Sequence, residues 1–258
     1  MSTRIPVTVI AGAQGSGKTA LLNHWSAGSE LNGAVVLSHS LAGLNHPRAY
    51  QVSESVYIHE AGCLCCAVQG DLVLTLQRLF LDALHRKIPV FTRIIIEASG
   101  RADPATFKYL VEYERFLADR YVYAGCLALV DVTRRVPVAP LAEAVAASGL
   151  GFARSVKAPN ADKSTYVGIA ALVDKSRDVI IEDRATGSDA GTDAKAGAED
   201  AVVRTQIRSA DVLLLTHTDR VSPPTLAQIR SLLHTLKPEA ACHCVQTVPD
   251  LAQLFEKR

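Results

Sequence analysis

Short apolar blocks alternate along this chain with longer segments of helical periodicity. Residues 4–11 form a β-rich block that ends in a glycine-rich turn, and residues 18–27 follow with Leu21, Leu22 and Trp25 spaced as one helix face. Residues 33–37 read as a second strand, 56–59 as a short strand, and 68–84 as an amphipathic helix with Leu72, Leu76, Leu79 and Phe80 on its apolar side. The unbroken run Ile94, Ile95, Ile96 suits a strand covered on both faces, where side chains of either parity meet a core. A helix opening near Pro104, strands at 122–130 and 210–215, a helix at 223–236, a strand at 240–245 and a closing helix at 250–256 complete the pattern. Strands that take turns with helices predict an α/β fold, a mostly parallel sheet with helices on both faces.

One interval breaks the alternation. Between Asp131 and Arg204 lie 72 residues, too many for a simple crossover, so an inserted region follows Asp131. We read residues 1–258 as a single domain carrying an insertion at 150–203. Within it 165–181 carries structure, whereas 184–200 has no large apolar residue and reads as a disordered loop.

Composition excludes more than it proposes. With 48% hydrophobic and 21% charged residues and a formal charge of +1, the chain has no electrostatic footprint for nucleic acid or acidic lipid. No apolar run reaches the roughly 18 residues of a membrane span. The first residues show no basic segment followed by an apolar stretch and a cleavage site, so a cytoplasmic location and reduced cysteines are expected. Six reduced cysteines, three of them packed into Gly62-Cys63-Leu64-Cys65-Cys66, point to metal or catalysis before they point to bridges.

The glycine-rich turn carries the most explicit chemistry. Gly12 to Thr19, GAQGSGKT, fits the phosphate-loop pattern with a strand before it and a helix after it. Small residues let the N–H groups around Gln14, Gly15, Ser16 and Gly17 turn inward on phosphate oxygens, and the helix N-terminus through Thr19 and Ala20 adds partial positive charge. Lys18 would bridge the β and γ phosphates and Thr19 would ligate Mg²⁺. The cysteines have a separate logic: three thiolates bind Zn²⁺ or a similar ion and leave a fourth position open, which suits delivery. His59 and His39 read first as ordinary histidines and second as fourth ligands. Cys242 and Cys244 should share one face of the last strand with His243 on the other, a core arrangement first and a secondary metal contact second. Cys126 lies inside an apolar strand and reads as core.

Four blocks, GAQGSGKTALLN, GCLCCAVQGDL, EASGRADP and QIRSADVLLLTHTD, occur in the order found in the CobW-type phosphate-loop GTPases, relatives of UreG and HypB, which the chain resembles over nearly its whole length. The resemblance implies a metal chaperone or insertase for zinc or cobalt held at Cys63, Cys65 and Cys66, with GTP and Mg²⁺ controlling transfer to a recipient protein, and a homodimer as one possible assembly. It implies that Glu97 sits near Mg²⁺, directly or through water, and that Gly100 meets the γ-phosphate. Asp103 and Pro104 match as helix-start features, and Arg101 is a candidate arginine finger. For the base, the family's Asn-Lys-x-Asp appears here as Thr216, His217, Thr218 and Asp219; Asp219 retains the guanine-reading carboxylate, while His217 either stacks on the base or is an ordinary strand-end histidine. The family's Asn-Glu-Phe-Gly element after the second strand is replaced by Ser38, His39, Ser40 and Leu41. These departures imply slow hydrolysis and keep two alternatives open: a nucleotide-responsive metal-binding or regulatory protein with negligible turnover, and an ATPase or small-molecule kinase on the same scaffold.

Overall fold

A computed structural model describes residues 4–52, 71–134, 190–247 and 251, with the side chains of 190–199 excepted. The chain divides into two units, Met1–Val136 with Ala198–Arg258, and Pro137–Gly197. The first unit contains the sheet.

Seven strands, β1 (Ile5–Gly12), β2 (Ala34–Ser38), β3 (Ala49–Gln51), β4 (Arg93–Glu97), β5 (Tyr121–Asp131), β6 (Val212–Thr216) and β7 (Ala241–Cys244), form one sheet in the order β3-β2-β4-β1-β5-β6-β7. Every neighbouring pair is parallel. The helices are α1 (Lys18–Ala27), α2 (Asp71–Leu84), α3 (Pro104–Tyr113), α4 (Arg115–Arg120), α5 (Ala190–Ser209) and α6 (Pro223–Leu236). Among the described residues no helix is long and apolar enough to cross a membrane.

The period of two in the strands explains the layers. Val7, Val9, Ile94, Ile96, Cys126, Ala128, Leu213 and Leu215 pack on one face with Leu76, Leu110, Leu117 and Leu233 of α2, α3, α4 and α6. The alternate set, Ile10, Ile95, Leu127, Leu129, Val212 and Leu214, packs on the other with Leu21, Leu22 and Trp25 of α1. A three-isoleucine strand is therefore divided between two cores, and each fully buried side chain of that kind contributes about 1.5–3 kcal/mol.

Local caps set where the helices begin. Asp103 accepts a hydrogen bond from Ala105 N at 2.9 Å with Pro104 at the first helical position, and Ser222 accepts one from Thr225 N ahead of α6. Asp103 and Pro104 thus have the helix-start role expected of them.

Three differences from the sequence reading have physical causes. Strand β3 is three residues long and α4 six, too short for a periodicity to register. The loop expected at 184–200 overlaps α5, which is helical from Ala190. Five alanines among residues 190–201 supply strong intrinsic helix propensity without any large apolar residue, so low hydrophobicity was the wrong criterion there. The expected strand at 56–59, the segment at 165–181 and Cys63, Cys65 and Cys66 lie outside the described residues, as does the closing helix at 250–256 apart from Leu251.

Candidate functional site

The strand order reverses direction at β1. The chain leaves β1 for β2 and β3 on one side, returns to β4 beside β1, and then crosses to β5, β6 and β7 on the other. In open parallel sheets such a reversal opens a crevice beyond the carboxyl ends of the strands. Registers Ser38 with Glu97, Ile10 with Glu97, Gly12 with Leu129 and Asp131 with Thr216 align the ends of five strands along that edge.

The loop from Gly12 to Gly17 leaves β1 at this edge and feeds α1. Gly12 has φ of 142°, and a Cβ there would lie 2.6 Å from Ser16 Oγ and 2.7 Å from Leu129 O, so no side chain fits. Ser16 N donates to Ala13 O at 3.1 Å, closing the turn. Gln14, Gly15 and Ala20 are exposed and Ser16 is buried. Lys18 Nζ folds back to donate to Gly12 O at 2.7 Å and Ala13 O at 3.1 Å, which holds the ammonium against the concave loop.

Behind the loop stands a buried carboxylate. Glu97, 3% exposed at the end of β4, accepts from Thr19 Oγ1 at 2.7 Å through Oε1 and from Ser38 Oγ at 2.7 Å through Oε2. Both partners are neutral hydroxyls. A buried carboxylate is costly unless a cation or strong donors compensate it, and a set of hard oxygen atoms beside a phosphate loop is the donor chemistry Mg²⁺ prefers. Thr19 and Glu97 therefore fit the metal that accompanies a nucleotide, and Ser38 extends the set.

Ser38 was missed by sequence reasoning because it occupies a position where a different motif was expected. It is fully buried, and its carbonyl accepts from Val52 N at 2.9 Å. Its hydroxyl also lies 2.8 Å from Ser40 O, so its single proton serves either Glu97 or that carbonyl. His39, next along, is exposed.

Gly100 lies against the loop. A Cβ on Gly100 would lie 2.6 Å from Gln14 N, so the segment after β4 touches the phosphate loop backbone directly. Gln206 of α5 was also missed as a site residue. Its amide, 2% exposed, donates to Gly100 O at 3.2 Å and Ala102 O at 3.3 Å and fixes that segment from behind.

The far end of the edge is built differently. Thr216 is buried, with Oγ1 turned 3.4 Å from Val130 O, and its methyl carbon lies 3.8 Å from the Cβ position of Gly17. His217 follows in a left-handed conformation with φ of 57°, and Asp219 is exposed in a short 3-10 turn, Thr218–Arg220. His217 Nδ1 approaches Asp131 Oδ1 to 3.2 Å without the alignment of a hydrogen bond. Burial alone would raise the Asp131 pKa, but hydrogen bonds from Thr133 and the His217 and Arg134 charges outweigh it and hold the carboxyl below its ordinary range.

The remaining cysteines behave as packing. Cys126 is buried, and desolvation above all, with Asp211 and Asp103 nearby, pushes its thiol far up. Cys242 and Cys244 pack together against the α6 side of the sheet, and Arg230 Nη2 lies 3.0 Å from Cys244 Sγ. Among the described residues no group of three His, Cys, Asp or Glu side chains is placed to hold a metal.

A strand, phosphate loop and helix at the switch point of a parallel sheet, with a buried acidic residue ending the adjacent strand, define a P-loop nucleotide-binding domain. The CobW/HypB/UreG nucleotide-binding domain matches residues 6–243, and the chain belongs to that family. Its similarity to individual proteins is partial. It is 33% identical over 136 residues to the zinc chaperone YjiA of Escherichia coli (strain K12), covering 49% of this chain and 40% of that protein. It is 27% identical over 135 residues to zinc-regulated GTPase metalloprotein activator 1 of Saccharomyces cerevisiae, covering 50% of this chain and 30% of that one. The chain thus spans less than half the length of the curated relatives it matches. The crystal structure of Zn(II)-bound YjiA GTPase from E. coli superposes with a TM-score of 0.53 at 22% identity over 98% of this chain and 61% of that one, and a Zn(II)-bound triple mutant of YjiA gives 0.54 at 20% identity over the same shares. These likenesses show the fold.

Proposed function

We propose that this chain binds GTP with Mg²⁺ and hydrolyses it slowly, and that nucleotide state gates the transfer of zinc or cobalt held by Cys63, Cys65 and Cys66 to a recipient protein. The observation that carries this reading is the hydrogen-bonded set Thr19, Glu97 and Ser38. Glu97 links the loop to Ser38, and Ser38 accepts from Val52, the last described residue before the cysteine-bearing segment. A rearrangement at the phosphates therefore reaches the backbone at Val52.

Each residue has a chemical task. Lys18 and the N–H groups of Gln14, Gly15, Ser16 and Gly17 neutralise and orient the phosphates. Thr19 and Glu97 would hold Mg²⁺, which would supply charge neutralisation for the phosphates. Gly100, backed by Gln206, brings backbone to the γ-phosphate, so loss of that phosphate releases the segment. Asp219 accepts from guanine N1 and N2, and Thr216 and Ala20 line the path between base and loop. The three thiolates bind the cargo with an open fourth position. YjiA and the yeast activator, whose descriptions name zinc, support this choice of metal.

A second reading is a nucleotide-responsive metal-binding protein with negligible turnover. The inward turn of the Thr216 hydroxyl toward Val130 O favours it, because that group is then engaged in the sheet instead of at the base. Steady-state phosphate release with GTP and with ATP decides the matter. Slow release from GTP supports the gated chaperone; none from either supports the second reading; selective ATP turnover overturns the guanine assignment and favours an ATPase or kinase.

A further inference from the structure

We propose that Arg134 is a nucleotide-binding residue that contacts the phosphate groups, and that Asp131 is the positioning residue that aims it. This rests on the reading of residues 12–19 as the phosphate loop. Arg134 lies just beyond β5, the neighbour of β1, and so emerges at the same edge as the loop. Its N–H donates to Asp131 O at 3.2 Å, turning the chain back. Its Nε lies 3.4 Å from Asp131 Oδ2, and Nη2 lies 3.2 Å from where a Cβ on Gly15 would sit. A guanidinium thus stands over the middle of the loop.

The pairing at Asp131 explains how the cation is aimed. An arginine carries five N–H donors in a planar fork, and a carboxylate on the Nε side leaves terminal donors for phosphate oxygens. Asp131 is itself fixed, since Oδ1 accepts from Thr133 N at 3.0 Å and Thr133 Oγ1 at 2.7 Å, with His217 Nδ1 at 3.2 Å. A half-exposed ion pair of this kind contributes little stability, so its orientation toward the loop is the property that needs a role.

The test is calorimetric titration of the full chain with GTP and GDP for wild type, Arg134→Ala, Arg134→Lys, Asp131→Asn, the Asp131→Asn/Arg134→Ala double variant and Lys18→Ala. Loss of a charge-assisted contact should weaken both nucleotides about 10-fold or more in Arg134→Ala, with partial recovery in Arg134→Lys. Asp131→Asn should cost less, and the double variant should bind no worse than Arg134→Ala alone. Wild-type affinities in Arg134→Ala, alongside a loss in Lys18→Ala, overturn the phosphate role of Arg134. Additive losses in the double variant overturn the positioning role of Asp131. Undiminished binding in Lys18→Ala refutes the phosphate loop itself and this proposal with it.

Discussion

The two ends of the sheet's carboxyl edge are built to different standards. Where the Gly12–Thr19 loop leaves β1, Lys18, Glu97 and Ser38 are buried, and Lys18 Nζ, both Glu97 carboxylate oxygens and Ser38 Oγ each have a partner at 2.7 Å, while Ser16 Oγ is buried without one. At the far end, where base recognition is proposed, Asp219 is exposed, Thr216 is turned into the sheet, and His217 approaches Asp131 without an aligned hydrogen bond. Phosphate recognition depends on backbone curvature and on a few buried charges, which tolerate little change. Base recognition depends on side chains at a strand end, where substitution alters selectivity and leaves the fold intact.

The largest effect expected from this contrast is at Lys18. Lys18→Ala should lower affinity for GTP and GDP about 100-fold, the scale of a lost charge-assisted pair in a partly desolvated loop, read by calorimetry. Glu97→Gln should come next: it keeps shape but removes the negative charge, and should lower Mg²⁺-dependent turnover about 10²-fold or more while GDP affinity changes less. If turnover persists, the acidic ligand lies elsewhere.

Gly100→Ala should be intermediate. A Cβ 2.6 Å from Gln14 N forces the segment after β4 away from the loop, at a cost of about 1–3 kcal/mol, and should weaken GTP more than GDP. Equal weakening of both nucleotides would separate Gly100 from the γ-phosphate. Asp219→Ala should reduce GTP affinity about 10-fold with ATP unchanged, the smallest effect on nucleotide binding, because the carboxylate is exposed. An equal loss for ATP would remove Asp219 from base selection.

The cysteines sharpen the contrast from another side. Burial above all raises the thiol pKa of Cys126 and Cys242, so both remain protonated and slow to alkylate at neutral pH in the folded protein. Fast, zinc-protected alkylation should map to Cys63, Cys65 and Cys66 by mass spectrometry. Zinc-independent labelling of those three would argue against a metal site there.

Much of the architecture was legible because the strands announce themselves. Ile94 to Ile96 and the blocks around β1, β5 and β6 are apolar at both parities, which only a doubly covered strand needs. Glu97 and Gly100 were named through the resemblance to the family's E-x-x-G pattern after that strand, and both lie against the loop. Ser38, Gln206, Asp131 and Arg134 were not, because each acts through a partner more than 20 residues away or through a turn at a strand end, and no local pattern encodes such a meeting. The α5 segment shows the opposite failure: alanine propensity produced helix where hydrophobicity was silent.

In the proposed mechanism nucleotide and metal share one switch, with Glu97 and Ser38 between them. Titrating GTP into zinc-loaded and metal-free protein, and zinc into GTP-bound and nucleotide-free protein, tests it most directly. Zinc should change GTP affinity, and GTP should change zinc affinity, by the same factor, about 5-fold or more. Identical GTP affinities with and without zinc would contradict it.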